Sequence, residues 1–238
     1  MPADITTAMD QLFGLGGPSW QFWHVVVKVL FCLDLTDDEI TLALRHTGRT
    51  KLFSSPLREL WLWIGRRGGK SRIIAMLAVF LATFGSYPML APGEMGTILL
   101  TSPTAKQSRA LLLYVLGFLH SVPMLARMIV RETDDSVELT HNVIIECRAP
   151  VPGNIRGSTV IAGLVDECAY LPQETSANPD SELLAALRPS MSTIPDSILI
   201  CSSTPHEANS LGPTGSILAM TIRLWHFSTR RASSPIPV

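Results

Sequence analysis

Apolar residues come in dense runs along this chain, and each run is closed by turn or polar residues. Residues 60–64 read Leu-Trp-Leu-Trp-Ile, residues 158–165 read Ser-Thr-Val-Ile-Ala-Gly-Leu-Val, and residues 197–201 read Ser-Ile-Leu-Ile-Cys. Short runs of this kind, rich in β-branched side chains, predict strands buried on both faces, as in parallel sheets. A fourth strand is expected at 97–101. Residues 137–139 and 143–147, joined through Thr140-His141-Asn142, predict an antiparallel hairpin. Helices are expected at 73–84, where twelve residues pass without a charge, from about 104 to 120, and near 181–187. Residues 1–54 read as a helical lead-in, with Thr36 and Glu39 spaced as a capping box. Alternating strands and helices imply an α/β fold, a mainly parallel sheet flanked by helices.

The segment between the first strand and its helix carries the candidate chemistry. It reads Gly65-Arg66-Arg67-Gly68-Gly69-Lys70-Ser71. A strand, a glycine-rich turn and a helix opening with Lys-Ser make a phosphate cradle, because glycines let backbone N–H groups approach phosphate oxygens closely. Lys70 would bring a point charge to the β- and γ-phosphates of a nucleoside triphosphate, and the Ser71 hydroxyl would sit on Mg²⁺. The usual G-x-x-x-x-G-K-[ST] spacing places a glycine at position 64; Ile64 stands there, and Gly65 follows one residue late. The plainer reading is a basic turn that ends a strand, with Arg66, Arg67, Lys70 and Arg72 solvated. In the phosphate-loop reading Lys70 is expected to face solvent when no nucleotide is bound.

Two further strand ends bear on the choice. The run at 158–165 ends in adjacent carboxylates, Asp166 and Glu167. Ligands of open α/β sheets collect at the carboxyl ends of strands. There Asp166 could hold Mg²⁺ through water, and Glu167 could polarise the attacking water as general base. The alternative is a strand that simply ends in an acidic loop. The run at 197–201 leads into Ser202-Ser203-Thr204-Pro205, whose hydroxyls could bond phosphate, metal-bound water or a neighbouring catalytic loop. The same residues are also an ordinary turn sequence.

Composition narrows the classes. The chain has 238 residues, 47% of them hydrophobic, enough for one full core in one or two domains. Cys32, Cys147, Cys168 and Cys201 show no metal-ligand spacing and read as reduced, buried small hydrophobes. No secretory signal is evident at the start. The run at 73–84 is short of the ~20 residues needed to cross a bilayer. Residues 20–35 are interrupted by His24, Lys28 and Asp34 and read as a helix docked on the core. A net charge of −1 gives no global signature for nucleic acid. Locally, Arg45, Arg49, Lys51, Arg58, Arg66, Arg67, Lys70 and Arg72 crowd a segment whose one acid is Glu59, enough to serve a triphosphate and a nucleic-acid backbone, or to be plain solvated side chains.

The loop at 65–71, the strand ending in Asp166-Glu167 and the Ser202-Ser203-Thr204 segment, in this order, resemble the large terminase subunit of tailed bacteriophages. The stretches Leu35-Thr36-Asp37-Asp38-Glu39 and Arg45-His46-Thr47-Gly48-Arg49, the Leu99-Leu100-Thr101-Ser102-Pro103-Thr104 segment with Gln107, and Arg156-Gly157 add to a likeness that covers 35 to about 212. The resemblance implies a P-loop NTPase core at 55–212 that hydrolyses ATP with Mg²⁺ to drive viral DNA packaging. It implies catalytic roles for Lys70, Glu167 and Arg66, the last as a sensor of the γ-phosphate, with Gly65, Arg67, Gly68, Gly69 and Ser71 in the nucleotide cradle. Ser71 and Asp166 would hold the metal, and Ser202, Ser203 and Thr204 would couple hydrolysis to movement on double-stranded DNA. Implied partners are the portal protein, the small terminase subunit and further copies in a ring, in the host cytoplasm and transiently at the procapsid portal, with no membrane. The family continues into a two-metal nuclease domain, whereas only Glu207 is acidic among residues 206–238. The expectation is therefore a motor lacking the nuclease, with 213–238 a remnant or disordered tail. A helicase-like DNA translocase and a catalytically inactive prophage remnant that only binds proteins are the alternatives.

Overall fold

A computed structural model describes residues 4–151, 153, 155, 157–171, 179–204 and 223–224. Three helices come first: α1 (Ile5–Gln11), α2 (Gln21–Phe31, entered through a 3₁₀ turn at Pro18–Trp20) and α3 (Asp37–Thr47). The expected capping box at Thr36 and Glu39 is present. Three acids in the first turn of α3 and Arg45 and His46 in its last suit the helix dipole. The chain then enters β1 (Glu59–Trp63), α4 (Lys70–Phe84), β2 (Gly96–Thr101) and α5 (Ala105–Ser121), the last capped by Thr104 with Gln107. A short α6 (Pro123–Ala126) precedes β3 (Ile129–Glu132), β4 (Ser136–Leu139) and β5 (Val143–Cys147). After these come β6 (Thr159–Val165), α7 (Pro179–Ser190), β7 (Ile198–Ser203) and β8 (Arg223–Leu224).

The strands form one sheet in the order β3-β4-β5-β2-β6-β7-β1-β8. Its middle, β5-β2-β6-β7-β1, is parallel throughout, and antiparallel strands stand at both ends. The expected hairpin is β4–β5, in which Leu139 faces Val143 and Asn142 takes the left-handed conformation (φ +61°) that closes a three-residue loop. β3, which extends this hairpin into a three-stranded meander, had no distinct signal in the sequence.

Alternation along the central strands divides the core in two. Ile98, Leu100, Ala162, Leu164, Ile198 and Ile200 join the larger cluster, with α1, α2, α4 and α5. Leu99, Val160, Val165, Leu199 and Cys201 join the smaller one, beneath α7. Residues 73–79 of α4 are buried without a break. A helix apolar all round needs cover on every side, and here the sheet lies on one flank and neighbouring helices on the other. Burying a leucine or isoleucine there contributes roughly 1.5–3 kcal/mol. Residues 20–35 dock as expected: α2 buries Trp23, Val25, Val26, Val27, Val29 and Leu30. No helix among the described residues is long and apolar enough to cross a membrane.

Three expectations need correction or fall elsewhere. Ser202 and Ser203 are the last residues of β7, paired with Leu62 and Trp63, because the ladder with β1 claims their backbone before any turn can. Cys168 and Cys201 are buried and Cys147 is half-buried, but Cys32 is exposed: it occupies the left-handed C-cap of α2 (φ 54°), where the chain turns out of the helix. Of the tail expected at 213–238, residues 223–224 form β8, and the rest, like Arg156, lies outside the described residues.

Candidate phosphate-binding site

The site is built at the carboxyl ends of β1, β7 and β6. Ile64 extends the ladder past β1, its N–H donating to Ser203 O at 3.0 Å. The chain then turns, with Gly68 N–H bonded to Gly65 O at 3.2 Å and Arg67 left-handed at φ +63°. Gly69 is the N-cap of α4 at φ +84°, a conformation that favours glycine. Contacts also hold both final glycines: a Cβ on Gly68 would lie 2.5 Å from Ile64 Cγ2, and one on Gly69 would lie 2.9 Å from Trp20 Cζ3. Unlike α3, α4 has neither a capping side chain nor an acid in its first turn. Its first N–H groups and the positive end of its dipole are left for an outside anion.

Lys70 opens α4, and it does not face solvent. It is 7% exposed; Nζ donates to Ile64 O at 3.0 Å and to Thr204 Oγ1 at 2.8 Å, and lies 3.3 Å from Glu167 Oε1. The expectation of a free lysine fails because parallel register carries three chain segments to one level. Trp63 pairs with Ser203, and Val165 pairs with Cys201, so residues 64, 204 and 166–167 meet around one ammonium. An ammonium has three donors, and Ile64 O, Thr204 Oγ1 and Glu167 Oε1 stand within reach of them.

Glu167 is left-handed (φ 49°) and accepts from Thr204 N–H at 2.8 Å, Thr204 Oγ1 at 2.7 Å and Ser203 Oγ at 3.4 Å. Burial pushes its pKa up, but the Thr204 hydroxyl and amide, with the Lys70 charge behind them, outweigh burial and hold it below the usual glutamate value. The carboxylate is ionised at neutral pH. Asp166, also 7% exposed, is held in place by its own N–H to Thr101 O at 2.8 Å on β2. Its Oδ2 accepts from Ser71 Oγ at 3.1 Å, and its Oδ1 accepts from Ser202 Oγ at 2.5 Å and Glu167 N–H at 3.1 Å.

Of the sequence candidates, Lys70, Ser71, Asp166, Glu167, Ser202, Ser203 and Thr204 thus form one bonded cluster, with Gly65, Gly68 and Gly69 above it. Arg66 and Arg67 are exposed and make no hydrogen bond or ion pair among the described residues. The wider basic segment does not form one patch. Arg58 bonds Ile194 O, Ser197 O and Ser197 Oγ near the other end of β1, Arg49 lies over the Phe53 ring at 4.1 Å, and Arg72 lies over Trp20 at 5.3 Å. No group of three or more His, Cys, Asp or Glu side chains suited to a metal occurs among the described residues. Mg²⁺ needs none: it takes one or two carboxylates, hydroxyls, waters and phosphate oxygens. Ser71 Oγ and Asp166 Oδ2, oxygen donors 3.1 Å apart beside the helix N-terminus, fit that ion.

A cavity of about 690 Å³ opens beside the loop, walled by Trp20, Phe22, His46, Trp63, Gly68 and Gly69. Phe22 meets the His46 ring edge-on at 5.1 Å. Burial first, and the Arg45 charge second, push the His46 pKa down, so the ring favours its neutral form. Trp23 Nε1–H donates to Gly68 O at 2.9 Å. Sequence reasoning placed Trp20 and Trp23 on a docking helix and missed their contact with the loop. Their three-residue spacing, one helical turn, was the available signal.

No protein-family model matches the chain, and no curated protein matches it. Several solved structures are similar to it, among them two phage terminases. One is the HK97 bacteriophage large terminase, at 15% identity and a TM-score of 0.49, over 77% of this chain and 37% of that one. The other is a mutant of the ATPase domain of the Thermus phage P74-26 large terminase, at 19% identity and a TM-score of 0.44, over 76% of this chain and 69% of that one. The chain therefore spans well under half the length of the first.

Proposed function

We propose that this chain is an ATP-hydrolysing motor domain of a large terminase subunit, acting in phage DNA packaging. The observation that carries the ATPase reading is the pairing of Ser71 with Asp166 and of Lys70 with Glu167 across α4 and β6, at the carboxyl edge of a parallel sheet. The order of the three segments along the chain supports the narrower packaging role. In this reading the amides of Gly69 and the first turn of α4 receive the β-phosphate, and Lys70 swings from Thr204 and Glu167 to the transferring phosphoryl group. Ser71 and Asp166 would hold Mg²⁺, which would supply positive charge to offset the negative charge of the transferring phosphoryl group. Glu167, ionised and freed from Lys70, takes the proton of the attacking water. Arg66, exposed at the turn, reaches the γ-phosphate. Ser202, Ser203 and Thr204 exchange partners as the two carboxylates do, and so carry the state of the site into β7. The aromatic cavity beside Gly68 suits the base of the same nucleotide, stacked on Trp20 or Trp63. Duplex DNA, the portal, the small terminase subunit and neighbouring copies in a ring are the partners of this reading.

A second reading, an inactive chain that only binds proteins, is favoured by one observation: Lys70 and Glu167 already satisfy each other. The purified chain decides between them. Mg²⁺-dependent ATP binding and turnover, both lost in Lys70→Ala, are expected; a chain that binds no nucleotide would sink the motor reading.

A further inference from the structure

Among the described residues, the helical lead-in makes a polar contact with the phosphate loop. Trp23 is 3% exposed on α2, and its indole N–H, the only polar group of the side chain, donates to Gly68 O at 2.9 Å, 45 residues further along the chain. The peptide between Gly68 and Gly69 is planar and trans, so its C=O and N–H point in opposite directions. Holding the carbonyl toward Trp23 therefore turns the Gly69 N–H away from the indole. Among the described residues that N–H has no hydrogen-bond partner. A glycine–glycine peptide is otherwise among the least constrained in a protein, free to rotate between several orientations. Trp20 closes the other side: its ring stands against Gly69, and Arg72 lies over that ring at 5.3 Å. The indole is not free to follow the loop, since Val25, Val27, Val29 and Leu30 are buried along the same helix.

We infer that Trp23 is a positioning residue for triphosphate binding: its N–H locks the Gly68–Gly69 peptide so that the Gly69 amide is presented to a phosphate oxygen before nucleotide arrives. This rests on the triphosphate reading above. Trp23 then serves binding without touching ligand, because it removes the entropy that the glycines would otherwise lose on binding.

The test replaces Trp23 by its benzothiophene isostere, 3-benzothienylalanine, which keeps the ring's shape and lacks the N–H; Trp23→Phe is the genetically simpler companion. Affinities for Mg-ATP and for inorganic tripolyphosphate are measured by calorimetry well below the melting temperature. Both should fall by about three- to tenfold, the range that one neutral hydrogen bond commands. Val26→Ala thins the packing of the same helix and leaves the bond, so it should lower thermal stability while keeping both affinities within about twofold of the parent. Unchanged tripolyphosphate affinity in the isostere would overturn the inference, as would an equal loss in Val26→Ala. A loss for ATP alone would also overturn it, since the indole would then act on the base. If the parent chain binds neither ligand, the triphosphate reading falls and takes this inference with it, whereas failure of the isostere arm alone leaves that reading standing.

Discussion

Replacing Lys70 by methionine, which keeps most of the stem and removes the ammonium, tests the arrangement at its centre. The substitution deletes the donors to Ile64 O and Thr204 Oγ1 and the 3.3 Å ion pair with Glu167. Stranding a fully buried charge costs roughly 3–5 kcal/mol. That figure is too high here, because the Glu167 side chain keeps 23% of its exposure and two donors from Thr204. A loss of about 1–3 kcal/mol, the scale of hydrogen bonds to a charged group, is the expectation. In a chain of 238 residues each kcal/mol moves the midpoint by about 2–4 °C, so Tm should drop by roughly 2–12 °C. Thermal melts of Lys70→Met, Glu167→Gln and the double variant, without nucleotide at pH 7, should give a coupling of about 1–2 kcal/mol. The sign with pH follows from Glu167. Its folded pKa lies below the ordinary value of 4.5, so the stability it contributes is complete above that value and lost as pH falls through the folded one. The coupling should therefore shrink in melts carried below pH 4.5. Strictly additive variants at pH 7, or a Lys70→Met protein that melts with the parent, would refute the buried ion pair.

Other substitutions separate the remaining roles. Glu167→Gln should leave Mg-ATP binding intact and slow hydrolysis by about two or more orders of magnitude, whereas Asp166→Asn should raise the Mg²⁺ concentration needed for nucleotide binding; identical behaviour of the two in binding and turnover assays would undo the division of labour. Trp63→Leu should weaken ATP, by the roughly 1–3 kcal/mol of a base stacked on an aromatic ring, and leave tripolyphosphate unchanged in calorimetry; equal losses for both ligands would remove the base from the cavity. Gly69→Ala should lower stability by at least about 1–2 kcal/mol, since φ +84° and a contact of 2.9 Å to Trp20 both oppose a Cβ, and denaturant melts with an unchanged midpoint would contradict that geometry.

Much of the sheet was legible because its cause is local. Residues 158–165 are apolar on both faces, and only a central parallel strand needs that; the structure places β6 between β2 and β7. Thr36 with Glu39 and Asn142 at a three-residue turn also carry their conformations in their chemistry. What stayed hidden depends on register. Nothing in the spacing of Lys70, Glu167 and Thr204 says that they share one set of hydrogen bonds, since that follows from which strand lies beside which. The basic segment misled for the same reason: Arg58 lies only eight residues before Arg66, but β1 carries it to the far end of the sheet, where Ser197 and Ile194 take its donors. Ser202 and Ser203 read as turn residues because their hydroxyls suit turns, yet their backbones pair with Leu62 and Trp63. The indole of Trp23 gave apolar periodicity and concealed a hydrogen bond that only the folded loop can accept.

The closed triangle of Lys70, Thr204 and Glu167 acts as a ligand that the protein supplies to itself. Any phosphate that claims the ammonium displaces these groups first, so measured affinity is the difference between two sets of bonds. The subtraction is the same for every nucleotide, and it weighs most on the one that holds Lys70 least well. In the proposed motor, cleavage would empty the γ-position, the threonine and glutamate would reclaim the lysine, and the remaining diphosphate would face a competitor at effectively fixed concentration. A motor built this way would shed its spent nucleotide by intramolecular exchange, with the resting state of the site as the driving partner of release.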